Sequence, residues 1–359
     1  MKILFISSRD VHLKATGGEL GTSRNYLSLS IIAGKENIDI IDLSENFKKS
    51  FKKNIKRFFN YFLGFCDGMN HYELKKILKT APAYDVVFID GSNWGAIAKH
   101  LKKAKYPGKI IIYFHNVESE LAWQKFKRKL ISFWKYLLFF YNEKSTFLYS
   151  DVRLVVNQRD AKNLQKSFGH REILIMPVSL QDNFKRINNQ NLTSSEPVCL
   201  FIGSSWPPNV LGIKWFVTNV LASVKIKLQI VGKGMESLKG KFNDPAIEVF
   251  GFIDDISEIM SKADFIISPI FGGSGMKVKT CDALMHGKNI IGTTEAFEGY
   301  DLDFSKVGAV CNSKEDFIMA INNFIAHPVN RFNEYSRSRY LENYSFDVTL
   351  KIFQQALKE

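Results

Sequence analysis

Short β-like runs alternate with helical stretches along this chain, and that alternation limits the fold more than any other feature. In the first half the runs are 2–7, 37–43, 85–90, 109–115 and 152–156; in the second they are 198–202, 227–231, 247–250, 265–268 and 289–292. Strand and helix taking turns in this way describe an α/β protein, here two doubly wound domains. A length of 359 residues suits two domains of about 150 to 200 residues each. The stretch 181–197 is polar and lacks periodic apolar residues, so it reads as the linker. A helical pattern returns at the end, with Val348, Ile352, Phe353 and Leu357 as its apolar positions.

An apolar content of 45% argues against disorder. No apolar run reaches the roughly 18 residues that would span a bilayer, and the start of the chain is too short an apolar stretch for a secretory signal. The expectation is a cytoplasmic chain. Cys66, Cys199, Cys281 and Cys311 are widely separated, which suits reduced structural thiols better than a disulfide framework or a zinc site.

A formal charge of +13 favours phosphate-bearing partners. Much of it lies in 47–62 and 125–136. In the first segment Phe47, Phe51, Ile55, Phe58 and Phe62 recur at helical spacing, while Lys48, Lys49, Lys52, Lys53, Lys56 and Arg57 take the opposite side. Such a helix can meet an anionic membrane surface, each cation contributing about 1 kcal/mol. Equally, the Phe stripe could pack on the domain and leave the lysines solvated. No nucleic-acid module is recognisable, only charge, so nucleic acid is not an expected partner.

The stretch from Gly272 to Leu284 carries the most chemistry. It follows the apolar run 264–269 and reads as a buried strand, a glycine turn, and a helix opening with Lys277 and Lys279. Glycines let a ligand approach the backbone, a helix start offers unpaired N–H groups, and the lysines add full charges. A phosphorylated ligand fits that chemistry. Lys279 and Asp282 are also spaced to form an ordinary surface ion pair.

Sheets of this kind bind ligands beyond the carboxyl ends of their strands. The turns found there are Thr16 to Gly21, His115 in Tyr113-Phe114-His115-Asn116, Gly203 to Asn209, Gly232-Lys233-Gly234, Gly251 to Asp255, and the Glu298 loop. An imidazole at 115 could donate a hydrogen bond or a proton, with Glu118 or Glu120 orienting it, or it could be structural.

On these residues the second half resembles the GT-B glycosyltransferases, and among them the retaining enzymes of glycosyltransferase family 4. The likeness rests on Phe201-Ile202-Gly203-Ser204 with Pro208-Asn209, Gly251 to Asp255, Ala263-Asp264, Gly273 to Ala283, and Glu298-Gly299. The first half is similar more loosely, through Gly17-Gly18 and His115-Asn116. The resemblance implies two Rossmann-like domains facing across a cleft: 1–180 for the acceptor, 198–342 for the nucleotide-sugar, and a last helix, 343–359, returning to the first. Many members carry two glutamates eight positions apart, where this chain has Ser274 and Asp282. A subgroup with an Arg-x-Lys pair looks closer, matched by Lys277 and Lys279. The family often places an Arg and a Lys after the second domain's first strand, and the loop 204–209 has neither.

The resemblance implies a donor site drawn from Gly203, Ser205 and Asn209 in one turn, Gly232 and Ile253 in the next two, and Ser274, Gly275, Met276, Lys277, Lys279 and Asp282 in the motif. Glu298, and Gly18 of the first half, complete it. His115 would be the catalytic residue, orienting hydroxyls. The implied reaction moves a hexosyl group from a UDP- or GDP-type sugar to a hydroxyl, with no metal and no further cofactor. A glycan or polyprenyl-linked acceptor at the inner membrane face would suit a basic, aromatic first domain. The alternatives are a nucleotide-sugar epimerase on the same fold, and a non-catalytic GT-B-like binding module.

Overall fold

The computed structural model describes residues 1–14, 16–44, 60–66, 68–126, 133–185, 196–242, 244–327 and 330–358. The basic positions Lys48, Lys49, Lys52, Lys53, Lys56 and Arg57 fall outside that set, as do 127–132 of the second basic segment and linker residues 186–195.

The chain divides into two compact units, Met1–Pro177 with Thr349–Glu359, and Val178–Val348. The first holds strands β1 (Ile3–Ser7), β2 (Ile38–Asp42), β3 (Val86–Ile89), β4 (Lys109–Phe114), β5 (Val152–Val155) and β6 (Leu174–Ile175). Its helices are α1 (Gly17–Ala33), α2 (His71–Thr80), α3 (Gly95–Lys103), α4 (Glu118–Phe126), α5 (Phe133–Tyr149) and α6 (Gln158–Phe168). The strands pair in parallel in the order β2-β1-β3-β4-β5-β6. β1, β3 and β5 are buried at every position, because helices cover both faces of the sheet.

The second unit holds β7 (Val198–Ile202), β8 (Lys227–Val231), β9 (Ile247–Val249), β10 (Phe265–Ser268), β11 (Ile290–Gly292) and β12 (Gly308–Val310). Its helices include α7 (Pro207–Asn219), α8 (Ser257–Lys262), α9 (Val278–Met285), α10 (Phe304–Val307), α11 (Lys314–Ala326) and α12 (Glu334–Arg339). A last helix, α13 (Phe346–Lys358), follows. The parallel order is β12-β11-β10-β7-β8-β9, that of a dinucleotide-binding fold. Pro207 and Pro208 open α7, where the ring's fixed φ and missing N–H cost nothing.

The unit boundaries differ from the expected 180 and 343. Val178 and Leu180 already belong to the second unit: Leu180 N–H donates to the Tyr344 carbonyl at 3.2 Å, and Tyr340 Oη donates to the Leu180 carbonyl at 2.9 Å. The described start of the linker is anchored too. Arg337 Nη1 donates to Asp182 Oδ1 at 3.0 Å, and the Phe184 ring stacks on Phe332 with centroids 5.3 Å apart. The chain returns to the first unit only at Thr349, where Phe353 is fully buried against Phe88 and Lys109 Nζ donates to the Leu357 carbonyl at 2.7 Å. Such a side chain at a helix end satisfies carbonyls the helix itself leaves open.

Candidate functional site

In each unit the strand order reverses beside the first strand, so β1 and β3 flank one crevice and β7 and β10 flank another. The functional side chains collect at these two places.

In the first unit Asp90 follows β3 and is buried. Its carboxylate accepts from Thr22 Oγ1 at 2.5 Å, Asn25 Nδ2 at 2.8 Å and His115 Nε2 at 3.0 Å. Thr22 and Asn25 are three apart on α1 and therefore face the same way. Burial alone would raise the Asp90 carboxyl, but the charge of a protonated His115, the His115 and Thr22 hydrogen bonds and the Arg9 charge bring it down to about 2. An ionised carboxylate can only accept, so His115 Nε2 carries the proton. Burial holds the His115 pKa below its usual value and outweighs the pull of Asp90. The side chain is only 9% exposed.

This arrangement corrects the expected orienting role of Glu118 and Glu120. Asp90 holds the ring, while Glu118 Oε1 accepts from Asn116 Nδ2 and Glu120 from Asn163. Gly18 lies inside α1, close to Arg9: a Cβ there would meet the guanidinium Nε at 2.9 Å. Gly21, one turn on, leaves the space that His115 occupies.

In the second unit β10 leads into the glycine turn and then α9. Lys277 is the N-cap position of α9, its own side chain makes no capping hydrogen bond, and the Tyr300 hydroxyl accepts from the Cys281 N–H in the first turn. The positive end of the helix dipole at this start favours an anion. Lys279, the second residue of α9, is buried and reaches across to the β7 loop. Its Nζ donates to Asn209 Oδ1 at 2.6 Å and lies 4.5 Å from the centre of the Phe201 ring. Asn209 in turn donates to the Ser204 carbonyl at 2.9 Å. A Cβ on Gly203 would come within 3.0 Å of Lys279 Nζ, so glycine makes room for the ammonium. Burial first, and the nearby Lys277 charge second, lower the Lys279 pKa to about 7.

The alternative ion pair between Lys279 and Asp282 is not what forms. Asp282 is partly buried, and that burial pushes its carboxyl up to about 7. Lys277 Nζ binds Glu295 Oε1 at 2.7 Å and the Gly275 carbonyl at 3.1 Å. Tyr300 Oη donates to the Lys277 carbonyl at 2.8 Å, and Thr280 Oγ1 to that of Ala296 at 2.7 Å, tying the Glu295 turn to α9.

The other expected donor residues fall in the same unit. Gly203 and Gly232 are cross-linked through neighbouring loops, Gly203 N–H donating to Val231 and Gly232 N–H to Gly251. Ser205 is exposed with its N–H on the Lys233 carbonyl, and Ile253 is partly exposed after β9. Met276 is buried, Ser274 Oγ is buried without a hydrogen bond, and Glu298 is partly exposed after β11. Gly18 alone belongs to the other unit. Sequence reasoning missed Asp90, Thr22, Asn25, Phe201 and Glu295. An acid directly after a buried strand, as at Asp90, was the available signal; Glu295 carries none.

Residues 196–327 match the family model Glycosyl transferases group 1. The chain carries a glycosyl transferase group 1 domain, and its two units have the GT-B fold. Sucrose-phosphate synthase from Thermosynechococcus elongatus is similar over 99% of this chain and 98% of its own, with a TM-score of 0.74 at 15% identity. HepE from Anabaena, solved with UDP-glucose, is similar over 100% of both chains with a TM-score of 0.67 at 11% identity. Trehalose-6-phosphate synthase OtsA has a TM-score of 0.64 at 12% identity, over 100% of this chain and 99% of its own. No curated protein matches the chain by sequence.

Proposed function

We infer that the chain is a retaining glycosyltransferase that moves a hexosyl group from a nucleoside diphosphate sugar to a hydroxyl. The observation that carries this reading is the junction of the glycine turn and α9. The start of α9, Lys277 and the buried Lys279 stand together at the strand-order reversal of a group 1 domain. A diphosphate leaving group gathers negative charge as the sugar bond breaks, and fixed cations and N–H groups aimed at it supply the largest part of catalysis. The complexes of HepE with UDP and UDP-glucose favour a donor of UDP type.

His115 serves the first unit as a fixed hydrogen-bonding group for substrate hydroxyls, with Asp90 as its positioning residue. The acceptor in this reading is a glycan or polyprenyl-linked hydroxyl in cell-envelope polysaccharide assembly. The basic segments 47–62 and 125–136 then hold the protein at the anionic inner face of the membrane. Exposed Phe62 and Trp134, at 73% each, supply the aromatic side chains such a surface takes up.

Purified protein incubated with a panel of nucleotide sugars decides the matter. Release of nucleoside diphosphate that depends on an acceptor supports transfer. Conversion of the sugar without acceptor would point to the epimerase instead. If no nucleoside diphosphate raises the melting temperature at saturation, the enzyme reading fails.

A further inference from the structure

The two lysines of the anion cradle are held by different partners. Lys279 rests on the neutral amide of Asn209, whereas Lys277 is bound to the carboxylate of Glu295 at 2.7 Å. Both members of that ion pair are largely withdrawn from water, Lys277 at 12% and Glu295 at 18% exposure, so solvent screens the pair weakly. The carboxylate also lies over the glycine turn itself. A Cβ placed on Gly273 would be 3.4 Å from Lys277 Cε and 3.7 Å from Glu295 Oε1. The place left open by glycine for an incoming group is therefore bordered by a negative charge.

Glu295 is held there by its backbone. It sits in a single 3-10 turn, 294–297, opened by Thr293, whose Oγ1 accepts from Ala296 N–H at 3.2 Å. Thr280 of α9 grips the same turn through the Ala296 carbonyl, and Asn312 Oδ1 accepts from Thr294 N–H at 3.1 Å. These contacts fix the backbone that carries Glu295, so its carboxylate stays within side-chain reach of Lys277.

We propose that Glu295 sets the affinity of the cradle by competing with the diphosphate for the Lys277 ammonium. This rests on the donor reading above. A diphosphate arriving at the helix start must take Lys277 from a carboxylate that also repels it, so the ion pair weakens donor and leaving nucleoside diphosphate alike. Fast release of the product is the functional return. The opposite role, in which Glu295 holds Lys277 ready for phosphate, predicts the opposite effect of removing its charge.

The test is titration of the full-length chain with UDP and GDP at low salt, for wild type, Glu295→Gln, Lys277→Ala and the double variant. Glutamine keeps the size and an acceptor oxygen but drops the charge. At least tenfold tighter binding by Glu295→Gln is expected. The gain should shrink in high salt and vanish in the Lys277→Ala background, since it acts through that lysine. Unchanged or weaker binding by Glu295→Gln would overturn the proposal while leaving the donor site standing. Absence of binding by all four proteins would instead remove the donor reading, and this proposal with it.

Discussion

Asp90 in the first unit and Lys279 in the second are both buried charged groups just beyond the carboxyl ends of central strands. Asp90 is fully engaged by the fold, with three hydrogen-bond donors from two other elements. Lys279 has one neutral amide and one aromatic face, and the Lys277 charge acts against its own. Folding stabilises the first charge and works against the second. A group kept buried with its charge under-compensated marks where a ligand is to supply what the fold does not. On that comparison the first crevice is a built support for His115, and the second leaves a buried ammonium on a neutral amide, as the proposed phosphate site requires.

The comparison breaks most visibly if Asp90 is removed. Asp90→Ala leaves Thr22, Asn25 and His115 without their shared acceptor, and a loss of about 3 to 5 kcal/mol in stability is expected. Urea unfolding followed by a signal from the first unit measures it. The sign with pH follows from the lowered carboxyl, about 2 against an ordinary 3.8. The Asp90 contribution is complete above pH 4 and is lost as pH falls through 2. A destabilisation under 1 kcal/mol would show that the cluster does not hold the crevice together.

Lys279→Ala should do the reverse, costing binding and sparing the fold. A charge-assisted hydrogen bond to phosphate is worth about 1.5 to 3 kcal/mol, or on the order of 100-fold in UDP affinity at the upper end. Because the wild type bears the cost of burying an ammonium, the melting temperature of the variant should be equal or higher. If it melts well below wild type and binds UDP as before, Lys279 is a structural lysine and the contrast between the units disappears.

The two doubly wound domains were legible because buried parallel strands are short apolar runs, and the runs at 2–7 and 265–268 announce themselves without any partner; the GT-B fold came from the motif resemblance. The short strands β6 and β12 were not, since two- and three-residue edge strands owe their existence to the neighbour they pair with. The same division holds in the sites. The glycine turn with Lys277 and Lys279 is local in sequence and could be read there. The partners of those lysines, Glu295 and Asn209, are brought in by tertiary structure from 18 and 70 positions away, and Asp90 reaches His115 from 25 positions away. The basic stretch 47–62 shows the limit of pattern alone: its helical period names a surface without fixing what that surface meets.

The pH dependence of donor binding sharpens the comparison with the smallest effect. Lys279 titrates near 7 in the unliganded protein, against 10.5 for an ordinary lysine. Its folded value is depressed, so the free protein gains stability as pH rises from 7 towards 10.5 and loses it as pH falls through 7. Phosphate favours the ammonium, so above pH 7 binding must take up a proton, and affinity falls as pH rises. Between pH 7.5 and 9 a nucleoside diphosphate is itself fully ionised, and UDP should bind about tenfold more weakly at the upper end. His115, held below its usual value, and Asp90, near 2, do not titrate in that window, so the first unit contributes nothing to the slope. Lys279→Arg keeps its charge throughout and should flatten the profile even if its longer fork binds less well. Calorimetry in buffers of different ionisation enthalpy counts the proton directly. A flat wild-type profile with no proton uptake would mean that Lys279 is already cationic in the free site, and that the second crevice is as well compensated as the first.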